Sequence, residues 1–211
     1  MNTDRHTAPS AALDAAWRRW NPGLDNDALA LGEVYRTLPG FPPDAIAFIV
    51  RLFENPGSPV AFPGAASLEA HDCLHILLGR GLLAQAEAFV IGFSMGTAKR
   101  IWSSEVWLFK QIARRLYPDI YRFSMHDLKA FDLGFGYGTR HGLRNIGAAP
   151  FRAHWQTPLG TLRRLLGIDV PALRAAYRLE QLLVPDSEES RRLPVAPGTP
   201  RTPQAPEKLA A

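Results

Sequence analysis

Apolar residues in this chain recur every three or four positions in segment after segment. Val, Ile and Thr do not gather into the alternating runs that mark strands. The spacing predicts helices near 10–20, 27–38, 43–54, 67–78, 82–98, 101–117, 124–145, 158–166 and 171–183. Asn26, ahead of DALALGEVY, and Ser67, ahead of LEAHDCLH, read as N-caps. Pro43, Pro158 and Pro171 suit first-turn positions, where a missing N–H costs nothing. The Pro/Gly stretches at 39–43 and 56–64 read as loops. The expected fold class is all-α, a single-domain helical bundle.

Residues 184–211 depart from this pattern. They hold six prolines in 28 positions and almost no large apolar residues, too little to offset chain entropy by burial. The expected organisation is one helical domain over 1–183, followed by a Pro-rich disordered tail over 184–211.

One predicted helix carries an anomaly. HDCLHILL, residues 71–78, is apolar nearly all the way round, which marks a buried helix, yet it includes His71, Asp72 and His75. At about 100° per residue, His71 and His75 lie roughly 40° apart on adjacent turns, with Asp72 beside them. Leaving such groups unpaired in an apolar setting costs roughly several kcal/mol, so they call for a common partner. Gly79 and Gly81 follow, suited to stop the helix and turn the chain. In the next apolar run, LLAQAEAFVIGF, Glu87 is again an acid among hydrophobes. On one unbroken helix it would lie about 18 Å beyond His75. A reversal at Gly79–Gly81 brings it back level, between antiparallel helices. His71, Asp72, His75 and Glu87 then form a nitrogen and oxygen donor set for a divalent metal, zinc first, with iron, manganese or cobalt also suited. Cys73 falls on the far side of the helix and reads as a small core residue.

Composition narrows the setting. At 211 residues, 46% hydrophobic and 21% charged, the chain is one domain with room for a real core. A single cysteine excludes an internal disulfide framework and a Cys-based zinc knuckle, and points to a reducing compartment. The apolar runs are too short to cross a bilayer, and the first twenty residues lack the apolar core of a secretory signal. The net charge of +4 suits contact with anionic lipid or phosphate. The arginines are scattered rather than striped, so nucleic-acid binding is not expected.

His-Asp-x-x-His, eleven residues and then Glu resembles the signature of the coenzyme Q (ubiquinone) biosynthesis protein four family, here His71, Asp72, His75 and Glu87. A second block agrees, at Trp155, Pro158, Leu159, Leu162, Arg163, Leu166, Gly167 and Ile168, and LPGFPPDAIAFIVRLFENP is a weaker echo upstream. The resemblance spans roughly residues 30–170 and suggests a divergent bacterial member. It implies an all-helical lyase of ubiquinone biosynthesis, a metal-dependent decarboxylase. Such an enzyme replaces the C1 carboxylate of a polyprenylated hydroxybenzoate by hydroxyl, with Glu87 and Asp72 as the catalytic carboxylates. It further implies a homo-oligomer in the cytoplasm, peripheral on the inner face of the membrane, bound to prenyl lipid and to other ubiquinone-biosynthesis proteins.

Other features have two readings each. Arg140, His141 and Arg144 could offer cations to a substrate carboxylate or phosphate, or form a solvated basic face. Gly134, Gly136 and Gly138 read as close helix packing. Trp17 and Trp20, beside Arg18 and Arg19, suit either a lipid interface or the core. Trp102 and Trp107 read as core, with an isoprenoid tunnel as the alternative. Two other functions compete. A non-catalytic metal- and lipid-binding scaffold would use the same residues. An HD-type metal phosphohydrolase would use the doublets His71–Asp72 and His126–Asp127, but has only His6 upstream of the first.

Overall fold

Every regular element among the described residues of the computed structural model is helical; these residues are 11–39, 56–58, 61–117 and 122–197. The helices are α1 (Ala11–Arg19), α2 (Leu31–Tyr35), α3 (Leu68–Leu78), α4 (Ala84–Gly96), α5 (Ser103–Arg115), α6 (Met125–Arg140), α7 (Leu159–Leu165), α8 (Val170–Leu183) and α9 (Glu188–Arg192). Short 3₁₀ turns occupy Ile146–Ala148 and Phe151–His154. The all-α reading holds. The expected helix at 43–54, with Pro43, lies outside the described residues.

Local sequence explains most helix starts. Ser67 Oγ accepts the Ala70 N–H at 3.3 Å to open α3, and Asp169 accepts the Ala172 N–H at 2.9 Å to open α8. Ser124 and Asp127 cap α6 reciprocally, with the Asp127 carboxylate taking the Ser124 N–H at 2.7 Å. The second His-Asp doublet thus spends its aspartate on a helix cap, and His126 is exposed.

The core gathers around α3, α4 and α6. Helix α4 is buried on nearly every side and packs along α6 at backbone distance. A methyl added at Gly134 would lie 2.1 Å from the Phe89 carbonyl oxygen, and one at Gly138 2.3 Å from that of Phe93. The contacts advance in the same direction on both helices, so α4 and α6 run parallel. Glycines are needed where backbones come this close. Gly136 is different: its added methyl would meet only Arg140 Nη1, at 3.9 Å.

The Trp155–Ile168 block lies across the segment leading into α2. Leu31 N–H donates to Thr157 O at 3.1 Å, Gly32 N–H to Trp155 O at 2.9 Å, and Leu159 N–H to Leu29 O at 2.8 Å. From α7, buried Arg163 donates to the Leu77 carbonyl at 2.9 Å, to that of Ile76 at 3.3 Å and to Asn26 Oδ1 at 2.9 Å. One guanidinium thereby pairs the Leu77 carbonyl at the C-terminal end of α3 and adds a second bond to that of Ile76.

Several expectations are corrected. Asn26 caps no helix: it is buried and donates to Pro22 O at 3.0 Å while holding Arg163, and α2 begins only after Ala30. The helix expected over 124–145 ends at Arg140. Trp20 is buried and donates to Thr37 Oγ1 at 3.0 Å, so it belongs to the core. Trp102 and Trp107 do not: they are 56% and 61% exposed, because α5 turns only Phe109, Ile112 and Ala113 inward.

The largest correction concerns the tail. Residues 184–197 fold back onto the domain, carrying α9 and burying Val184, Glu189, Ser190 and Leu193. Arg192 donates to the Arg18 carbonyl at 2.7 Å and to that of Trp20 at 3.0 Å, and Gln85 donates to Ser190 Oγ at 2.9 Å. Prolines at 185 and 194 flank α9 rather than interrupt it, so proline content did not prevent packing. Residues 198–211 lie outside the described residues.

Candidate metal centre

The turn between α3 and α4 builds the site. Gly79 ends α3 in the left-handed region at φ 65°, a conformation that favours glycine, and its N–H and that of Arg80 return to the Ile76 and His75 carbonyls. Helix α4 starts five residues later, and Glu87 in its first turn comes back to the level of His71 and His75. The reversal expected from Gly79 and Gly81 is present.

Three donor residues meet there. His71 Nε2 is 2.9 Å from Glu87 Oε2, His75 Nε2 is 3.3 Å from Glu87 Oε1, and the two Nε2 atoms are 3.0 Å apart. Around a tetrahedral ion with bonds of about 2.0–2.1 Å, ligand atoms stand about 3.3 Å apart. His75 is fully buried, whereas His71 and Glu87 keep 19% and 25% of their side-chain surface, so the cluster opens to solvent on their side.

Proton accounting favours a cation. The Gly81 carbonyl can only accept, so the His75 Nδ1 lying 2.8 Å from it carries the hydrogen. In the neutral ring, His75 Nε2 is then a bare lone pair. It faces two carboxylate oxygens that are also acceptors, with at most one His71 Nε2 hydrogen to share among them. A divalent ion satisfies all three donors at once, and His71, His75 and Glu87 fit it in residue type and spacing. Burial alone would raise the Glu87 carboxyl, but positive charge at this place, carried in the metal-free site by the His75 and His71 rings bonded to it, holds it well below the usual carboxylate range.

Asp72 stands beside this triad. Its Oδ2 accepts the Tyr35 hydroxyl at 3.2 Å, and burial pushes its carboxyl up despite the two histidines. Tyr35 is in turn set by the second sequence block: its ring lies 4.8 Å from that of Trp155, which occupies the space a side chain at position 32 would need. Tyr35, the Gly81 carbonyl and the anchoring role of Arg163 were not read from the sequence. Only Arg163 had a signal there, as one position of the Trp155–Ile168 block.

Arg140, His141 and Arg144 gather elsewhere. Arg144 donates to Gly96 O at 3.2 Å and to Thr139 O at 3.0 Å, Arg140 donates to Gly136 O at 3.2 Å, and the His141 ring stacks on Tyr137. They cap the ends of α4 and α6. Gly96 lies nine residues beyond Glu87, about 14 Å along α4. Cys73 is buried in the core, as expected.

No protein-family model matches the chain, and comparison with curated proteins and with solved structures finds no match. Among the described residues, no helix is long and apolar enough to cross a membrane.

Proposed function

We propose that this chain holds a divalent metal through His71, His75 and Glu87. We further propose that it acts in ubiquinone biosynthesis, replacing the C1 carboxylate of a polyprenylated hydroxybenzoate by hydroxyl. The observation that carries the reading is the convergence of three lone-pair donors on a face open to solvent beside His71 and Glu87. The chemical change is a two-electron oxidation. The ring–carboxylate bond breaks and CO2 leaves, water supplies the hydroxyl oxygen, and dioxygen takes the electrons and two protons to become hydrogen peroxide. A divalent ion held by His71, His75 and Glu87 would supply a Lewis acid for the charge that builds on the substrate as CO2 leaves. Within the protein, the Gly81 carbonyl holds the His75 ring in its ligating tautomer, and Arg163 fixes the end of α3 that bears it. Asp72, positioned by Tyr35, is the acid–base group beside the ion.

The non-catalytic scaffold reading uses the same triad and draws support from α5. Trp107 and Leu108 on this helix, with Trp102 and Leu116 flanking it, are exposed among Lys99, Arg100, Arg114 and Arg115, a combination suited to an anionic membrane surface. Complementation separates the two readings. In a cell lacking the decarboxylation step, the wild-type chain is expected to restore ubiquinone, measured by mass spectrometry, and Glu87→Gln is expected to fail while remaining folded. A wild-type chain that binds metal and lipid but restores no ubiquinone favours the scaffold.

A further inference from the structure

Behind the Gly79–Gly81 turn lies a buried cluster of charge. Arg80 is fully buried, its Nη1 and Nη2 donating to Glu180 Oε2 and Oε1 at 3.0 and 2.9 Å. Its guanidinium lies 4.7 Å from the centre of the Phe89 ring and 5.1 Å from that of Tyr177. This pair is neutral by itself. Helix α9 then adds Glu189, 1% exposed, whose two carboxylate oxygens have no hydrogen-bond partner. Arg80 Nε is 3.5 Å away and Arg192 Nη1 4.0 Å. A buried carboxylate without hydrogen bonds costs stability, and its presence asks for a reason.

Its place supplies one. A methyl group added to Gly81 would lie 3.4 Å from Arg192 Nη2 and 3.6 Å from Glu189 Oε2, and the Gly81 carbonyl is the group that accepts the His75 Nδ1 hydrogen. A cation on His75 Nε2 drives positive charge across the ring toward Nδ1, where outer partners that are negative or polar strengthen binding. Arg80 is matched by Glu180, whereas Arg192, only 21% exposed and bonded to the Arg18 and Trp20 carbonyls, sets a cation beside the same turn, and Glu189 is the buried carboxylate that offsets it.

We infer that Glu189 is a positioning residue for the metal centre, raising its affinity for a divalent cation through the Gly81 carbonyl and the His75 ring. The inference rests on the metal reading proposed above. It gives the C-terminal segment a role at the site: Glu189 of α9 offsets the Arg192 guanidinium behind the Gly81 turn.

The test is cobalt(II) titration of the full chain after chelator treatment, read from the visible absorption of bound cobalt, alongside thermal melting of the metal-free protein. Glu189→Gln, nearly isosteric, is expected to weaken cobalt binding about tenfold, in the range of outer-partner losses. The metal-free melting temperature should stay level or rise, because the burial cost of a carboxylate that makes no hydrogen bond has gone. Ser190→Ala removes the bond to Gln85 but keeps the carboxylate, so it should lower the melting temperature and leave cobalt affinity unchanged. Wild-type affinity in Glu189→Gln overturns the inference, as do parallel losses of affinity and stability in both variants. A wild-type chain that binds no cobalt overturns the metal reading itself, and this inference with it.

Discussion

The Nδ1 atom of His75 lies 2.8 Å from the carbonyl oxygen of Gly81, six residues along the chain and just past the turn that ends α3. The contact fixes the proton on Nδ1 and turns Nε2 toward His71 and Glu87. The turn therefore does two things at once: it returns Glu87 to the level of the histidines and selects the tautomer that can bind a metal.

The close approach of α4 and α6 sets the frame for that turn. A methyl at Gly134 would come within 2.1 Å of a backbone oxygen that cannot move aside, whereas Gly136 faces open space. Gly134→Ala should cost about 3 kcal/mol, at the upper end for an overpacked core. Gly136→Ala should be neutral or stabilise by up to about 1 kcal/mol through helix propensity. Denaturant midpoints of the two variants check this, and equal midpoints would show that the helices do not meet there.

Truncation after Leu183 should be costly. It removes Glu189 from Arg80, Ser190 from Gln85 and buried Leu193 from the core. A loss of about 3 kcal/mol is expected for the buried side chains of Val184 and Leu193 and the Gln85–Ser190 bond. For a chain of this size that is roughly 6–12 °C in melting temperature. An unchanged melting curve would mean that the segment is not docked in solution.

Acidity should reveal Glu189. Burial pushes its carboxyl above the ordinary glutamate range, against the pull of Arg80 and Arg192. Between that range and the raised value, the native state binds more protons than the unfolded one, so stability falls as pH rises. Asp72 shifts in the same direction in both proteins, so the comparison isolates Glu189. In metal-free protein, the advantage of Glu189→Gln over wild type should be absent at acidic pH and grow toward neutrality. Melting curves across pH check it, and an advantage independent of pH would contradict the assignment.

The sequence displayed the site because polar groups on an otherwise dry helix are conspicuous. His71, Asp72 and His75 stand out among Leu and Ile, and two glycines mark where the chain turns back. What lies outside the helix period was hidden. Tyr35 reaches Asp72 only because Trp155, from the far end of the domain, presses on α2. Trp102 and Trp107 read as core since large apolar residues are buried by default, but hydropathy does not say which face of a helix finds no partner. In the C-terminal segment, composition outweighed a local signal. Ser187 followed by Glu188 and Glu189, with Arg191 and Arg192 three residues on, has the cap and charge order of a short helix.

Zinc stoichiometry tests the central claim most directly. After chelator treatment and equilibrium dialysis against zinc, elemental analysis of the wild-type chain should give one zinc per protein. His71→Ala/His75→Ala, shown to be helical by circular dichroism, should give none. One equivalent retained by the double variant would contradict the assignment of the metal to His71, His75 and Glu87.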